Sequence, residues 1–584
     1  MSSTYACVIV TQLEEAVQVK EFHMVRRLFS LFAVLLFVFL AIDIVHGFAN
    51  PSSSPATTLI AVDVTTPGEW EIYEKTGIPA YASLTGQGGG YLLAGADQAG
   101  LYKLQSLDIP YQVLEEDMGG KTYYIASVMP GRQTPRWQDY GRLLFDDGLQ
   151  VLLRMDPKDA DRIAEQGIQI QKLFDNPIVF VPEDSGQHFP SLIDPDPTVQ
   201  IMIDQVISTT VYEYDGNLSG EWPVTIGGSP YTIVTRNTYS GEPIQKATQY
   251  VAEHLGDLGL DVEYHVWNAS RPPNVIGEIT GETDPEDIFL ITAHLDDMPS
   301  GAIAPGADDN ASGSTAVMIA SEILSQYRWG CTLRFAYFTG EEQGLLGSNA
   351  YALRSSQNSE NILGVLNLDM IGWNTPGSTP YIDLESASSV PGSVAIAQLF
   401  ADVVDAYSID LIPQISTTGT CCSDHVSFLN RGYPAILAIE DFSDFNPYYH
   451  STNDLLSNLD IEYFTDLVRA SVGTFAHMAS CMIPDATGSI EGYVKEVEGG
   501  SPSEGADLYI ESTTGWEAFA TTNSSGYYTS TTSTGTYTVT ASARGFFPAT
   551  VSNVEIISGT VTTLDINLER EEYFYYIPFW VGVD

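Results

Sequence analysis

Between residues 287 and 478 apolar, strand-like runs alternate with amphipathic helical stretches, and several of the runs end on an acid or an imidazole. The strand-like runs are Asp287–Ala293, Thr332–Phe338, Ile362–Leu368 and Ala435–Ile439. Between and after them, Ser314–Tyr327, Leu345–Leu353, Val394–Tyr407 and Ile461–Met478 read as helices; in the first, Val317, Ile319, Ala320, Ile323 and Leu324 follow a period near 3.6. Buried runs alternating with helices predict an α/β domain over residues 186–485: a mixed, mostly parallel sheet with helices on both faces. In such sheets ligands bind at the carboxyl ends of the strands, where the charged residues fall here.

Other textures flank this stretch. Residues 58–185 hold two strand–helix–strand units, Tyr91–Asp97 leading to Leu107–Leu114 and Val151–Asp156 leading to Gln166–Ile170. Together they predict one small α+β domain of ferredoxin-like type, with the role of a spacer or of a pro-domain covering the site next to it. Residues 486–569 carry Thr-, Tyr- and Val-rich runs between Gly/Ser turns, predicting an all-β sandwich with no catalytic set. Residues 570–584 form an aromatic tail.

The first 49 residues read as a secretory signal, with Met24 a candidate true start. Arg26-Arg27 precede an apolar run from Leu28 to Ile42, and small residues follow. The run is shorter than the ~20 residues a spanning helix needs, which favours cleavage over an anchor and a secreted or periplasmic product. A Pro/Ser-rich linker over 50–57 follows. Cys331, Cys421, Cys422 and Cys481 remain after the signal and allow three disulfide pairings, a vicinal Cys421–Cys422 bridge among them. A formal net charge of -51 repels phosphate backbones and excludes nucleic acid as the main partner.

Five segments at strand ends carry candidate chemistry: Ala293-His294-Leu295-Asp296, Pro305-Gly306-Ala307-Asp308-Asp309-Asn310-Ala311-Ser312-Gly313, Thr339-Gly340-Glu341-Glu342-Gln343-Gly344, Asn367-Leu368-Asp369-Met370 and Asn446-Pro447-Tyr448-Tyr449-His450-Ser451-Thr452-Asn453-Asp454. Taken singly, each also reads as a helix cap, a solvated turn or an exposed loop. Together they offer imidazole and carboxylate donors without thiolate, a set suited to Zn, Mn or Co. A spare carboxylate beside a ligand suits general-base work.

The five motifs, in this order, resemble peptidase family M28, the co-catalytic zinc peptidases typified by secreted bacterial leucyl aminopeptidases. The likeness spans roughly residues 200–480, including Thr238-Tyr239-Ser240-Gly241 and Asn274-Val275-Ile276-Gly277. The resemblance implies a zinc-peptidase fold holding two Zn2+, with Mn2+ or Co2+ as substitutes. It casts Asp309 as the bridging ligand, His294 and Asp369 as completing one site, and Glu342 and His450 as completing the other. Glu341 matches the general base and Asp296 the carboxylate that orients His294. The implied reaction removes the N-terminal residue of a peptide or protein with a free amine. Cys421-Cys422-Ser423-Asp424-His425 resembles a segment lining the substrate pocket, which makes His425 a pocket candidate. In that family two spaced cysteines of this segment are bridged; here they are adjacent. Gly488–Val494 and Thr522–Tyr528 resemble carboxypeptidase regulatory-like accessory domains.

Three alternatives stay open on the same residues. Carboxypeptidase action needs a cationic recess, for which Arg354 and Arg431 are candidates. Glutaminyl cyclase-like acyl transfer uses one metal. A receptor-like binding protein has no need of Glu341.

Overall fold

A computed structural model describes residues 57–570, apart from 65–71, 87–88, 180–192, 419–422, 484–486, 498, 513–516 and 558. The signal, most of the linker, the tail after residue 570 and the Cys421–Cys422 pair lie outside the described residues. No helix among those described is long and apolar enough to cross a membrane.

The apparent repeat of residues 58–185 proves to be a repeat of whole sheets. Strands β1 (Thr58–Asp63), β2 (Ala80–Gly86), β3 (Gly89–Ala96) and β4 (Tyr111–Glu115) form one antiparallel sheet of order β2-β3-β1-β4, with helix α1 (Gln98–Ser106) between β3 and β4. Strands β5 (Tyr123–Val128), β6 (Gly141–Asp146), β7 (Gln150–Met155) and β8 (Ile168–Lys172) form a second, of order β6-β7-β5-β8, with α2 (Ala160–Ala164) between β7 and β8. The two sequence units are thus the β3-α1-β4 and β7-α2-β8 portions of separate, equivalent sheets. They do not pair with each other as the sequence suggested, because each completes its own sheet through a strand that precedes it, β1 or β5.

The next segment opens with helices α3 (Pro197–Asp204) and α4 (Ser208–Leu218) and a short hairpin, β9 (Val224–Ile226) and β10 (Ser229–Tyr231). Helix α5 (Glu242–Asp257) then leads into eight strands: β11 (Asp261–His265), β12 (Asn274–Ile279), β13 (Asp284–His294), β14 (Cys331–Phe338), β15 (Asn361–Leu368), β16 (Tyr381–Glu385), β17 (Ile412–Ser416) and β18 (Ala435–Glu440). Their order is β11-β12-β14-β13-β15-β18-β16-β17. The centre, β14-β13-β15-β18, is parallel, and antiparallel pairs flank it. Between and after the strands run α6 (Gly313–Leu324), α7 (Leu346–Gln357), α8 (Ser393–Ala406), α9 (His425–Leu429) and α10 (Ile461–Ala479).

Strand periodicity assigns the two faces of this sheet. Phe289 and Ile291 of β13 and Leu333, Phe335 and Tyr337 of β14 pack with α5, α6, α8 and α10. The alternate residues, Ile288, Leu290, Ala336 and Phe338, pack with Tyr351 and Ala352 of α7 and Phe428 of α9. The central strands are therefore buried on both sides, as their near-continuous apolar sequences require. Strand polarity brings the ends of β13, β14 and β15 to one edge.

The C-terminal region is a sandwich of two sheets. One is built around β19 (Thr487–Glu496) and the other around β20 (Asp507–Ser512) and a later strand at Gly535–Ser542. Ile490, Val494, Leu508, Ile510 and Val539 fill the space between them. Residues 486–570 hold neither histidine nor cysteine, so imidazole and thiol chemistry stays outside the sandwich.

Cys331, at the start of β14, is disulfide-bonded to Cys481, two residues past α10, at a sequence separation of 150. That resolves one of the three pairings in favour of Cys331–Cys481. Closing so long a loop restricts the unfolded chain. The Cys331→Ser/Cys481→Ser variant should lose about 2–4 kcal/mol in urea unfolding. Unchanged stability would show the bridge to be dispensable.

Candidate metal centre and active site

The site is assembled from the ends of parallel strands and the turns that follow them. His294 is the last residue of β13, Glu341 and Glu342 lie just past β14, and Asp369 just past β15. Asp309 precedes α6, and His450 lies in the loop after β18. Gly313 permits the close approach of α6 to β15, since a Cβ there would sit 2.4 Å from the Leu368 carbonyl oxygen. Met370 and His450 adopt left-handed backbone at φ of 51° and 56°. Each costs of order 1–3 kcal/mol for a non-glycine residue and is held by its surroundings.

The six expected residues converge, each no more than 6% exposed. His294 Nε2 lies 3.3 Å from Asp309 Oδ1 and 3.1 Å from Asp369 Oδ1. His450 Nε2 lies 3.2 Å from Asp309 Oδ2 and 2.8 Å from Glu342 Oε2. Asp309 thus presents one oxygen to each imidazole, dividing the set into two donor triplets. The donor atoms of His294, Asp309 and Glu342 also all lie within 4.8 Å of one another. Asp309 Oδ2, His450 Nε2 and Glu342 Oε1 are buried and close to other polar atoms, yet make no well-aligned hydrogen bond. Donor atoms that converge without bonding one another fit a cation as their common partner.

Electrostatics point the same way. Burial, reinforced by the charge of Asp309, pushes Glu342 up to about 8. Burial would lower His450, but Glu342 and Asp309 carry it up to about 10. Burial favours a neutral Asp309, yet the two imidazoles beside it outweigh that and hold the carboxyl below its usual range. Glu341 is raised by burial and by Glu342, the proton-retaining direction a base beside a metal ligand needs.

Asp296 acts differently from the sequence expectation. The hydrogen-bond partner of His294 Nδ1 is the backbone oxygen of Asp296, at 3.0 Å, while the nearer carboxylate oxygen stands 3.9 Å away. That carboxylate accepts from Thr238 Oγ1 at 2.8 Å and from the Glu341 backbone N–H at 3.2 Å. One of its oxygens is engaged by Thr238 and the other by the Glu341 turn, leaving the imidazole to the carbonyl. His425 is also displaced from its expected place. It is fully buried at the start of the five-residue helix α9 and does not line the cavity, whereas Ser423 does. Arg354 pairs with Glu263. Arg431 donates to the carbonyls of Pro177 and Asn176. Among the described residues no lysine or arginine lines the cavity.

Several residues escaped the sequence reading. The Asp454 carboxylate accepts the N–H groups of Asp308 and Asp309, at 3.1 and 3.0 Å, and so fixes the backbone that carries the Asp309 carboxylate. Asn446 Nδ2 donates to Asp308 Oδ2 at 2.8 Å. Both lie within the fifth motif, but nothing local marks their reach of 138 residues or more. Gln169 Nε2 donates to Glu341 Oε1 at 2.7 Å, and Tyr449 donates its hydroxyl to Gln169 Oε1 at 2.8 Å. Met129, Met370, Leu437, Ile439 and Tyr449 form an apolar cluster at the cavity wall.

A doubly covered α/β sheet with imidazoles and carboxylates converging at its strand ends defines a metallohydrolase-type centre. Residues 274–472 match the family model for Peptidase family M28, and residues 489–569 that for the Carboxypeptidase regulatory-like domain. The chain thus carries a region similar to peptidase family M28, followed by one similar to that accessory domain, and the matches support a metallopeptidase. A probable aminopeptidase of Saccharomyces cerevisiae is 28% identical over 264 residues, covering 43% of this chain and 70% of that protein. A probable leucine aminopeptidase of Arthroderma otae is 32% identical over 260 residues, covering 42% of this chain and 66% of that protein. Among solved structures, the LapA aminopeptidase of Legionella pneumophila aligns with a TM-score of 0.48 at 17% identity, over 62% of this chain and 98% of that one.

Asp454→Asn should weaken metal binding about 10- to 100-fold, the usual cost of losing a residue that orients a ligand. Competitive zinc titration checks this; an unchanged affinity would leave Asp454 no positioning role.

Proposed function

We propose that the chain is a zinc aminopeptidase that holds two ions and uses Glu341 as general base. The observation that carries this is Asp309, which offers one carboxylate oxygen to each of two imidazole-containing donor sets. His294 and Asp369 would hold one ion with Asp309, and Glu342 and His450 the other. Four carboxylates line the cavity, Asp309, Glu341, Glu342 and Asp369, and their formal charge equals that of two divalent cations. When bound, the ions supply Lewis acidity, lowering the pKa of water and polarising the scissile carbonyl.

The chain's own residues complete the chemistry. Glu341 is fixed by the hydrogen bond from its backbone N–H to Asp296. Its carboxylate takes the proton of the attacking water and returns it to the departing amine. Met370, Leu437 and Ile439 offer an apolar wall for the first side chain of the substrate. The acidic cavity, lined by no lysine or arginine among the described residues, suits a substrate's ammonium group better than a terminal carboxylate. The Cys331–Cys481 disulfide fits the exported product expected from the N-terminal signal.

Metal analysis of the purified protein should give about two zincs per chain. Leucyl and methionyl amides should be cleaved in preference to aspartyl ones, and N-acetylated amides not at all. Glu341→Ala should keep its metal and lose about 10²- to 10⁴-fold in kcat. Cleavage of blocked amides would refute the exopeptidase assignment, and normal turnover in Glu341→Ala would refute the base.

A further inference from the structure

The cavity over the Glu341 carboxylate is nearly filled by residues from the second N-terminal sheet unit. Gln169 comes from β8, where its neighbours Ile168 and Ile170 point into that unit's own core. Strand alternation turns Gln169 the other way, into the catalytic cavity, where it is only 8% exposed. Its carboxamide lies between two groups of the site: the N–H donates to Glu341 and the oxygen accepts from Tyr449. Met129, one residue past β5, packs against Met370, Leu437 and Ile439. The remaining cavity is about 10 Å3, roughly the space of one water.

Further contacts tie the same unit down. His450 Nδ1 is 2.6 Å from the Ala164 carbonyl oxygen, and Gln343 donates to Asp161 at 3.0 Å. The Lys172 N–H donates to the Gly344 carbonyl at 3.2 Å.

We propose that the unit spanning residues 123–172 is a built-in inhibitor that occupies the site as an imitation substrate, and that turnover requires its displacement. This rests on reading the site as a peptidase. The Gln169 carboxamide stands where a substrate amide would meet the base: its N–H on Glu341 imitates a departing amine, and its carbonyl rests on a hydroxyl donor. Met129 takes the place of an apolar first side chain. The imitation resists cleavage because a side-chain amide of the same chain presents no free N-terminal ammonium. The Ala164 carbonyl also orients a candidate metal ligand, so the unit completes the metal centre while closing it.

The test uses the full chain loaded with zinc, carrying a site-specific protease sequence inserted between residues 185 and 186. The intact, cut and Gln169→Ala forms are compared by two readouts. One is the rate of zinc release to a coloured chelator; the other is kcat/KM on leucine 4-nitroanilide. Cutting or Gln169→Ala should raise both at least ~10-fold, the weight of one hydrogen bond to an ionised group. Equal zinc release and equal turnover in all three forms would overturn the inhibitor while leaving the peptidase intact. Faster zinc release without hydrolysis in any form would uphold the cover and sink the peptidase reading.

Discussion

Everything at the site follows from burying several carboxylates within a few ångströms of one another. At an effective dielectric near 20, two unit charges 4 Å apart repel by about 4 kcal/mol, and the cavity gathers four acids. Among the described residues no lysine or arginine lines the cavity, and the imidazoles of His294 and His450 compensate the acids only by taking up protons. A fold retains such an arrangement when divalent cations are its counter-charge. The surroundings are built to hold the acids in place. Asp454 fixes the Asp309 backbone, Asp296 fixes that of Glu341, and Gly313 lets Asp309 and Asp369 come together.

How much of this was legible in the sequence depended on the range of the interaction that carries each feature. The central strands and helices were readable because burial on both faces writes a continuous apolar run, and a helix writes a 3.6-residue period. The carboxyl ends of β13, β14 and β15 fall within one residue of their expected places, while β13 begins three residues earlier than expected. The six residues of the centre were readable because each sits beside its strand end in a short motif. The Asp296 carboxylate was in the right neighbourhood with the wrong partner: sequence spacing cannot tell whether a side chain or its own carbonyl is nearer to an imidazole. His425 was misplaced because a five-residue helix gives no periodicity from which to read which way its first residue points.

The N-terminal region shows a different limit. Its two strand–helix–strand units were visible, but each sheet also contains strands outside those units, so the count of sheets was not. Gln169 is flanked by Ile168 and Ile170, the pattern of a half-buried strand whose polar residue faces water. Here that residue faces Glu341, 172 positions away. Met129 is likewise an ordinary apolar residue whose partners lie more than 200 positions downstream. No local pattern distinguishes a surface that meets water from one that meets another part of the chain.

The two roles of the N-terminal unit are coupled by geometry. The loop carrying His450 holds that residue in left-handed backbone, and the imidazole's Nδ1 finds its acceptor at Ala164 of the covering unit. Tyr449, stacked on His450 with ring centroids 3.7 Å apart, is engaged by Gln169 from the same unit. A cover that supplies the acceptor for a proposed metal ligand favours assembly of the centre, and one that lays an amide on the proposed base prevents its use. Because both contacts come from α2 and β8, adjacent elements of one small sheet unit, they form and break together. Displacement would therefore open the cavity and also free the His450 ring, exchanging a site ordered but closed for one open and less constrained.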